Sequence, residues 1–317
     1  MRNTVFKLLI TTLLITQAHA EFKQPKNYES LGACEKQEIL WENVKETKYD
    51  GLPRFKKVGA PEIFKMMWQG VKDKAYKKSD FAPKGWKKYL HRRAVMAKVK
   101  IKSIENSYTG IFQGAECALL RLSLTYRTDK KKKKPFAPGL ALKVLRDKVD
   151  SANVSALYTL EGQKYDYNFF KNPLSNIVPT GESTELKLVS YIFSKVTDYP
   201  EELEIRDMAL KNEKGEIEKT VNSPRQIFFV PNKDLSTPSK KNDMREEIMK
   251  IKEGTLLYTI YAAPEKLKDY DYSKYETEDI KSFVSKSIPI AEIVSTSDFI
   301  ASSFGDIGIF FRHEVVK

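Results

Sequence analysis

Histidine and cysteine are scarce in this chain, with three and two copies in 317 residues. His91 and His313 stand about 220 positions apart, so no multi-histidine metal site can form from one local motif. Cys34 and Cys117 are too few for a disulfide scaffold. They can form one disulfide in an oxidising compartment, or else stay as one buried and one free thiol. Gly-x-Gly-x-x-Gly and P-loop patterns are missing, which removes the common nucleotide-binding turns. His-Glu-x-x-His and Gly-x-Ser-x-Gly are also missing, which removes the zinc-protease helix and the hydrolase nucleophile elbow. No repeat period and no Gly/Ser/Pro-rich linker divide the chain, so one domain is expected rather than two.

Long apolar runs are missing too. The longest spans Val5–Ile15, after Arg2 and before Ala18-His19-Ala20, a small-x-small cleavage site. This is the pattern of a secretory signal over residues 1–20, too short to cross a bilayer. A secreted or periplasmic mature chain from Glu21 is expected, with no transmembrane segment. His19 leaves with the signal.

Net negative charge is lacking throughout, and the positive excess is confined. Residues 21–102 carry 21 Lys and Arg against 10 Asp and Glu, whereas residues 103–317 carry 32 of each. A net +11 in the first part of the mature chain fits either a solvated lysine face or a surface for an anionic lipid, polymer or ligand. Nucleic acid is not the expected partner.

The apolar fraction of 41% fits a packed globular protein. Residues 36–48 and 61–75 have helical apolar spacing, the second opening on Pro61. They place a basic helical arm over 21–85. At Val95 the period becomes two: Val95, Ala97, Val99 and Ile101 alternate with Met96, Lys98, Lys100 and Lys102. Further strands are expected at 116–126, 138–147, 153–160, 225–230, 254–262, 288–295 and 307–313. The lysine run 130–134 is a loop tip, and helices are expected at 184–196 and 242–252. The fold class is α+β: an antiparallel β-barrel of about eight strands over 86–317, closed to remove its edges, with peripheral helices.

Three polar residues open or interrupt strands otherwise fit for a core: His91, Ser123 and Asn153. Asn153-Val154-Ser155 is formally a glycosylation triplet, but its strand placement argues for a structural or functional role. A buried hydroxyl and amide need partners, since leaving one unpaired costs about 1–3 kcal/mol. A shared pocket at the barrel mouth would satisfy them, with Ser123 holding the imidazole and Asn153 aimed at the same space. A neutral imidazole there can shuttle a proton, as peroxide chemistry requires.

The order of these residues resembles the core of the catalase-like superfamily. His91 stands where that family has its distal His before the first barrel strand. Arg121-Leu122-Ser123 resembles its Arg-Phe-Ser step, and Ala137–Val144 resembles its Pro-Arg-Gly-Phe-Ala-Val-Lys-Phe strand. Asn153 falls where an Asn completes the distal pocket. Residues 108–114 resemble the family's link between its first two strands, and residues 167–179 and 302–313 look like the shorter, catalase-related branch. The resemblance implies a haem protein handling peroxide or a lipid hydroperoxide, with His91 as acid/base, Ser123 as its support and Asn153 orienting the peroxide. It also implies cofactor contacts from Lys88, Arg121 and Lys143. Lys88 replaces the family's propionate-binding Arg, and a point charge lacks the guanidinium fork. The family's Arg-x-x-x-Tyr helix, source of the axial ligand, has no counterpart up to Lys317, leaving Tyr258 or Tyr261 as candidate ligands. The alternative expectation is a non-enzymatic relative of the same barrel, docking on an anionic surface through residues 21–102.

Overall fold

The computed structural model describes residues 24–54, 79–83, 86, 88, 91–104, 112, 114–129, 134–148, 151–157, 170, 174–175, 208–211, 217–221, 227–236, 243–262, 285 and 287–311. The signal expected over 1–20, the helices expected at 61–75 and 184–196, and His313 lie outside them. A short 3-10 turn, Tyr28–Ser30, leads into helix α1, Ala33–Glu46. Its buried residues Lys36, Gln37, Leu40, Trp41 and Val44 recur at helical spacing and face the sheet. Two carboxylates hold its first turn. Gly32 N donates to Glu35 Oε2 at 2.9 Å, and Ala33 N donates to Asp147 Oδ1 at 2.6 Å.

Strands β1 (Arg93–Ser103), β2 (Cys117–Asp129), β3 (Lys134–Val144) and β4 (Ala152–Leu157) pair as an antiparallel meander. The two-residue β5, Leu174–Ser175, joins β4 to β8, Ile227–Pro231. Strands β9 (Leu256–Ala262) and β10 (Ile288–Ser295) follow, and β10 pairs with β1. The antiparallel sheet thus curls into a barrel-like form, carried by seven strands and the short β5. Strands β6 (Met208–Lys211) and β7 (Ile217–Val221) form a separate hairpin that hydropathy did not suggest. Helix α2, Met244–Ile248, is shorter than the expected 242–252 and is capped by Asp243, whose side chain accepts from Arg245 N.

One expected strand is corrected. Residues 307–311 do not form one, and 312–313 lie outside the described residues: Phe304–Gly308 makes a π-helical turn, and Ile309 makes an isolated bridge to Phe81. A Cβ at Gly308 would overlap the Phe304 ring, so the turn can close only with glycine there.

Alternation sorts the side chains onto two faces. Val95, Ala97, Val99, Leu120, Leu122, Leu140, Leu142 and Val154 share the enclosed core with residues of β8–β10. Met96 and Leu119, of opposite parity, join a second cluster with Tyr28, Leu40, Trp41, Val44, Phe81, Phe304 and Ile309. That outer face of β1–β4 is where α1 docks. Cys34 of α1 is disulfide-bonded to Cys117 of β2, and Gln37 Nε2 donates to the Val99 and Ala118 carbonyls at 3.0 and 2.6 Å.

Candidate functional site

Register brings the polar residues together on this outer face, not at the barrel mouth where the sequence placed them. Ala94 pairs with Ser123, Met96 with Arg121, and Lys143 with both Leu119 and Asn153. His91 sits two residues before β1 with φ 50°, a left-handed conformation that lets the chain turn its imidazole back over the sheet. Arg121 stabilises that turn, Nη2 donating to the His91 carbonyl at 2.6 Å.

The imidazole Nδ1 lies 3.1 Å from Ser123 Oγ, as the sequence suggested. Ser123 Oγ is also 3.4 Å from the Gly139 carbonyl, which can only accept. The hydroxyl therefore donates to Gly139 and accepts from His91 Nδ1–H, which leaves Nε2 with a free lone pair. Burial and then the Arg121 charge lower the His91 pKa from 6.5 to about 3, with Lys88 adding to the effect. The ring keeps some exposed surface, but the two cations beside it act in the same direction as burial, so it is neutral near pH 7.

Two carboxylates that the sequence reading missed organise the neighbouring charges. Asp306, in the π-helical turn, accepts from Ala94 N at 2.9 Å, Tyr49 OH at 3.0 Å and Arg93 Nη1 at 3.1 Å. Arg121 Nη2 lies 3.5 Å from Oδ1, the oxygen that Ala94 N also reaches, and Arg121 Nε donates to Gly305 O at 3.1 Å. Burial and the adjacent Asp306 raise the pKa of Tyr49. Asp80 accepts from Lys143 Nζ at 2.9 Å, and from Tyr28 OH and Ser151 Oγ at 2.8 Å each. Burial alone would raise the Asp80 pKa, but the Lys143 charge and these three donors outweigh it and hold it below the usual value.

Arg121 and Lys143 are thus committed to acids of the fold, while Lys88 is not. Lys88 Nζ is buried without a hydrogen-bond partner, as is Asn153 Oδ1. Both lysines approach the Phe311 ring, Lys88 Nζ at 5.2 Å and Lys143 Nζ at 5.5 Å from its centroid. Trp86 stands edge-on to Phe310 at 4.7 Å.

The tyrosines proposed as ligands are elsewhere. Tyr258 is fully buried in the enclosed core, against Phe170 and Phe229, and Tyr261 packs on that same core. Tyr258 thus belongs to the enclosed core, whereas Ser123, which contacts His91, has the outward parity of Leu119. Among the described residues no group of three His, Cys, Asp or Glu could hold a metal ion, and no helix is long and apolar enough to cross a membrane. The missed acids left a faint trace, Asp306 being a lone charge within the apolar run Phe304–Phe311. No protein-family model matches this chain, and no curated protein matches it at a significant level.

Proposed function

We propose that this chain is a secreted, catalase-like protein that binds haem against the outer face of β1–β4 and processes peroxide or a hydroperoxide weakly. The observation that carries the reading is the His91–Ser123 contact, with Asn153 on the same face and Lys88 beside it unpaired. The donor set fits one side of a haem. Asn153 would face the bound peroxide, and Lys88 would offer a charge to a propionate. It does not fit the other side, since Tyr258 lies in the enclosed core and the hydroxyls of Tyr28 and Tyr49 are already donated to Asp80 and Asp306. When bound, haem would supply the redox centre. The chain's own contribution is a neutral His91 whose Nε2 can accept a hydrogen bond from a hydroperoxide, a pKa of about 3 making it a weak base and in keeping with weak turnover. Ser123 fixes the tautomer, and Arg121 and Asp306 fix the turn that presents it.

Haemin titration tests this directly. The purified protein should develop a Soret band, and the band should shift in His91→Ala. Peroxide consumption by the loaded protein should fall about 100-fold in His91→Gln. Failure to develop a band would discard the reading.

A second reading is favoured by the aromatic cover of the same face, where Phe81, Phe304 and Phe311 pack beside the site. In it the barrel is a non-enzymatic relative, and the basic residues within 21–102 hold the protein on an anionic surface.

A further inference from the structure

We propose that Lys88 and Asn153 form a haem-independent binding site for a small carboxylate that carries its own hydrogen-bond donor, a 2-hydroxy acid being the simplest case. Two orphaned atoms define it. Lys88 Nζ is buried with no acceptor, and burial followed by the Arg121 charge holds its pKa well below the usual lysine value, while Asn153 Oδ1 is buried with no donor. Native proteins rarely bury such groups unpaired, so two in one neighbourhood mark the outline of a missing molecule.

Local charge gives the sign of that molecule. Arg93 and Arg121 share Asp306, and Lys143 is paired with Asp80, so each buried acid among the described residues is already committed. Four cations, Arg93, Arg121, Lys143 and Lys88, face these two acids, and Lys88 is the one with no hydrogen-bonded acid, so a bound anion would favour its charged form. Asn153 gives the second requirement. It stands opposite Lys143 in the β3–β4 register, and Lys143 shares the Phe311 ring with Lys88. A bare carboxylate would satisfy Lys88 and leave Oδ1 empty; an adjacent hydroxyl would fill it. The Phe311 ring, in reach of both lysines, would supply an apolar wall for the rest of the ligand. His91 Nε2 provides a further acceptor nearby.

The test uses the mature protein without haemin, with lactate as probe, propionate as the same carboxylate without the hydroxyl, and chloride as charge alone. Calorimetry should show saturable lactate binding, with propionate at least about tenfold weaker and chloride weaker still. Lys88→Met should abolish lactate binding while raising the melting temperature of the free protein by at least about 2 °C, since it removes an unpaired buried charge. Asn153→Leu should erase the preference for lactate over propionate. A lowered melting temperature in Lys88→Met would mean that the ammonium already has a partner in the fold, which overturns the proposal. Equal binding of lactate and chloride, undiminished lactate binding in Lys88→Met, or no saturable binding by any of the three overturns it as well.

Discussion

Single residues here take their chemistry from what surrounds them. His91 would be an ordinary surface group with a pKa near 6.5, but burial and the Arg121 and Lys88 charges lower it to about 3. Between those two values the unfolded chain binds a proton that the folded chain refuses, so stability must fall as pH drops from 6.5 towards 3. The slope approaches one proton, about 1.4 kcal/mol per pH unit, and is less to the extent that the ring meets solvent. Chemical denaturation at a series of pH values should show this slope in the wild type and a flatter curve in His91→Asn, a residue that tolerates the left-handed backbone. Parallel curves would mean that the imidazole is protonated in the fold. Asp306 carries a larger share of the structure, since it answers Arg93, Arg121, Tyr49 and the Ala94 amide together. Asp306→Asn leaves Arg121 buried without its counter-charge, and should cost about 3–5 kcal/mol in urea unfolding.

At the scale of elements, strands with clean alternation were readable and irregular segments were not. Residues 95–101 became the centre of β1, and Leu120, Leu122 and Leu124 face the enclosed core while Leu119, Arg121 and Ser123 face out. A strand buried on both faces still shows its parity when one face holds an arginine and a serine. The segment 307–313 misled because Ile307, Ile309, Phe310 and Phe311 have strand composition. Its geometry is set by contacts distant in sequence: Asp306 against β1 and β2, and Gly308 against the Phe304 ring. Hydropathy carries no trace of such contacts. The His91–Ser123 pair was legible because a polar residue inside an apolar strand calls for a partner, whereas Asp80 lies in the unexceptional stretch Lys78–Pro83.

Helix α1 shows the same limit. Its amphipathic stripe was visible, but its docking partner was not, and the disulfide decides it. Cys34–Cys117 closes a sequence separation of 83 residues. Reduction, or Cys34→Ser, should therefore lower stability by about 2–4 kcal/mol, read as a fall in melting temperature with dithiothreitol that the variant no longer shows. A dithiothreitol-insensitive wild type would mean that α1 is held by Gln37, Lys36 and its apolar stripe alone.

For the whole molecule, the charge distribution has to be reconciled with the packing. The net +11 of residues 21–102 suggested a detachable basic arm, but Tyr28, Leu40, Trp41, Val44 and Asp80 are buried against the barrel. Deleting 21–85 would therefore remove core rather than an appendage, and lost binding after such a deletion would say nothing about charge. Lys26, Lys48, Lys100 and Lys102 are exposed and can be changed without touching the core. If the excess charge holds the protein on an anionic surface, it should sediment with phosphatidylglycerol vesicles in about 20 mM salt. It should detach near 0.5 M, where the screening length falls to roughly 4 Å. Replacing those four lysines with glutamine removes four of the eleven surplus charges and should weaken binding at least about tenfold with the melting temperature unchanged. Salt-resistant sedimentation would instead assign the contact to apolar surface, and unchanged binding in the four-lysine variant would move it away from this end of the molecule.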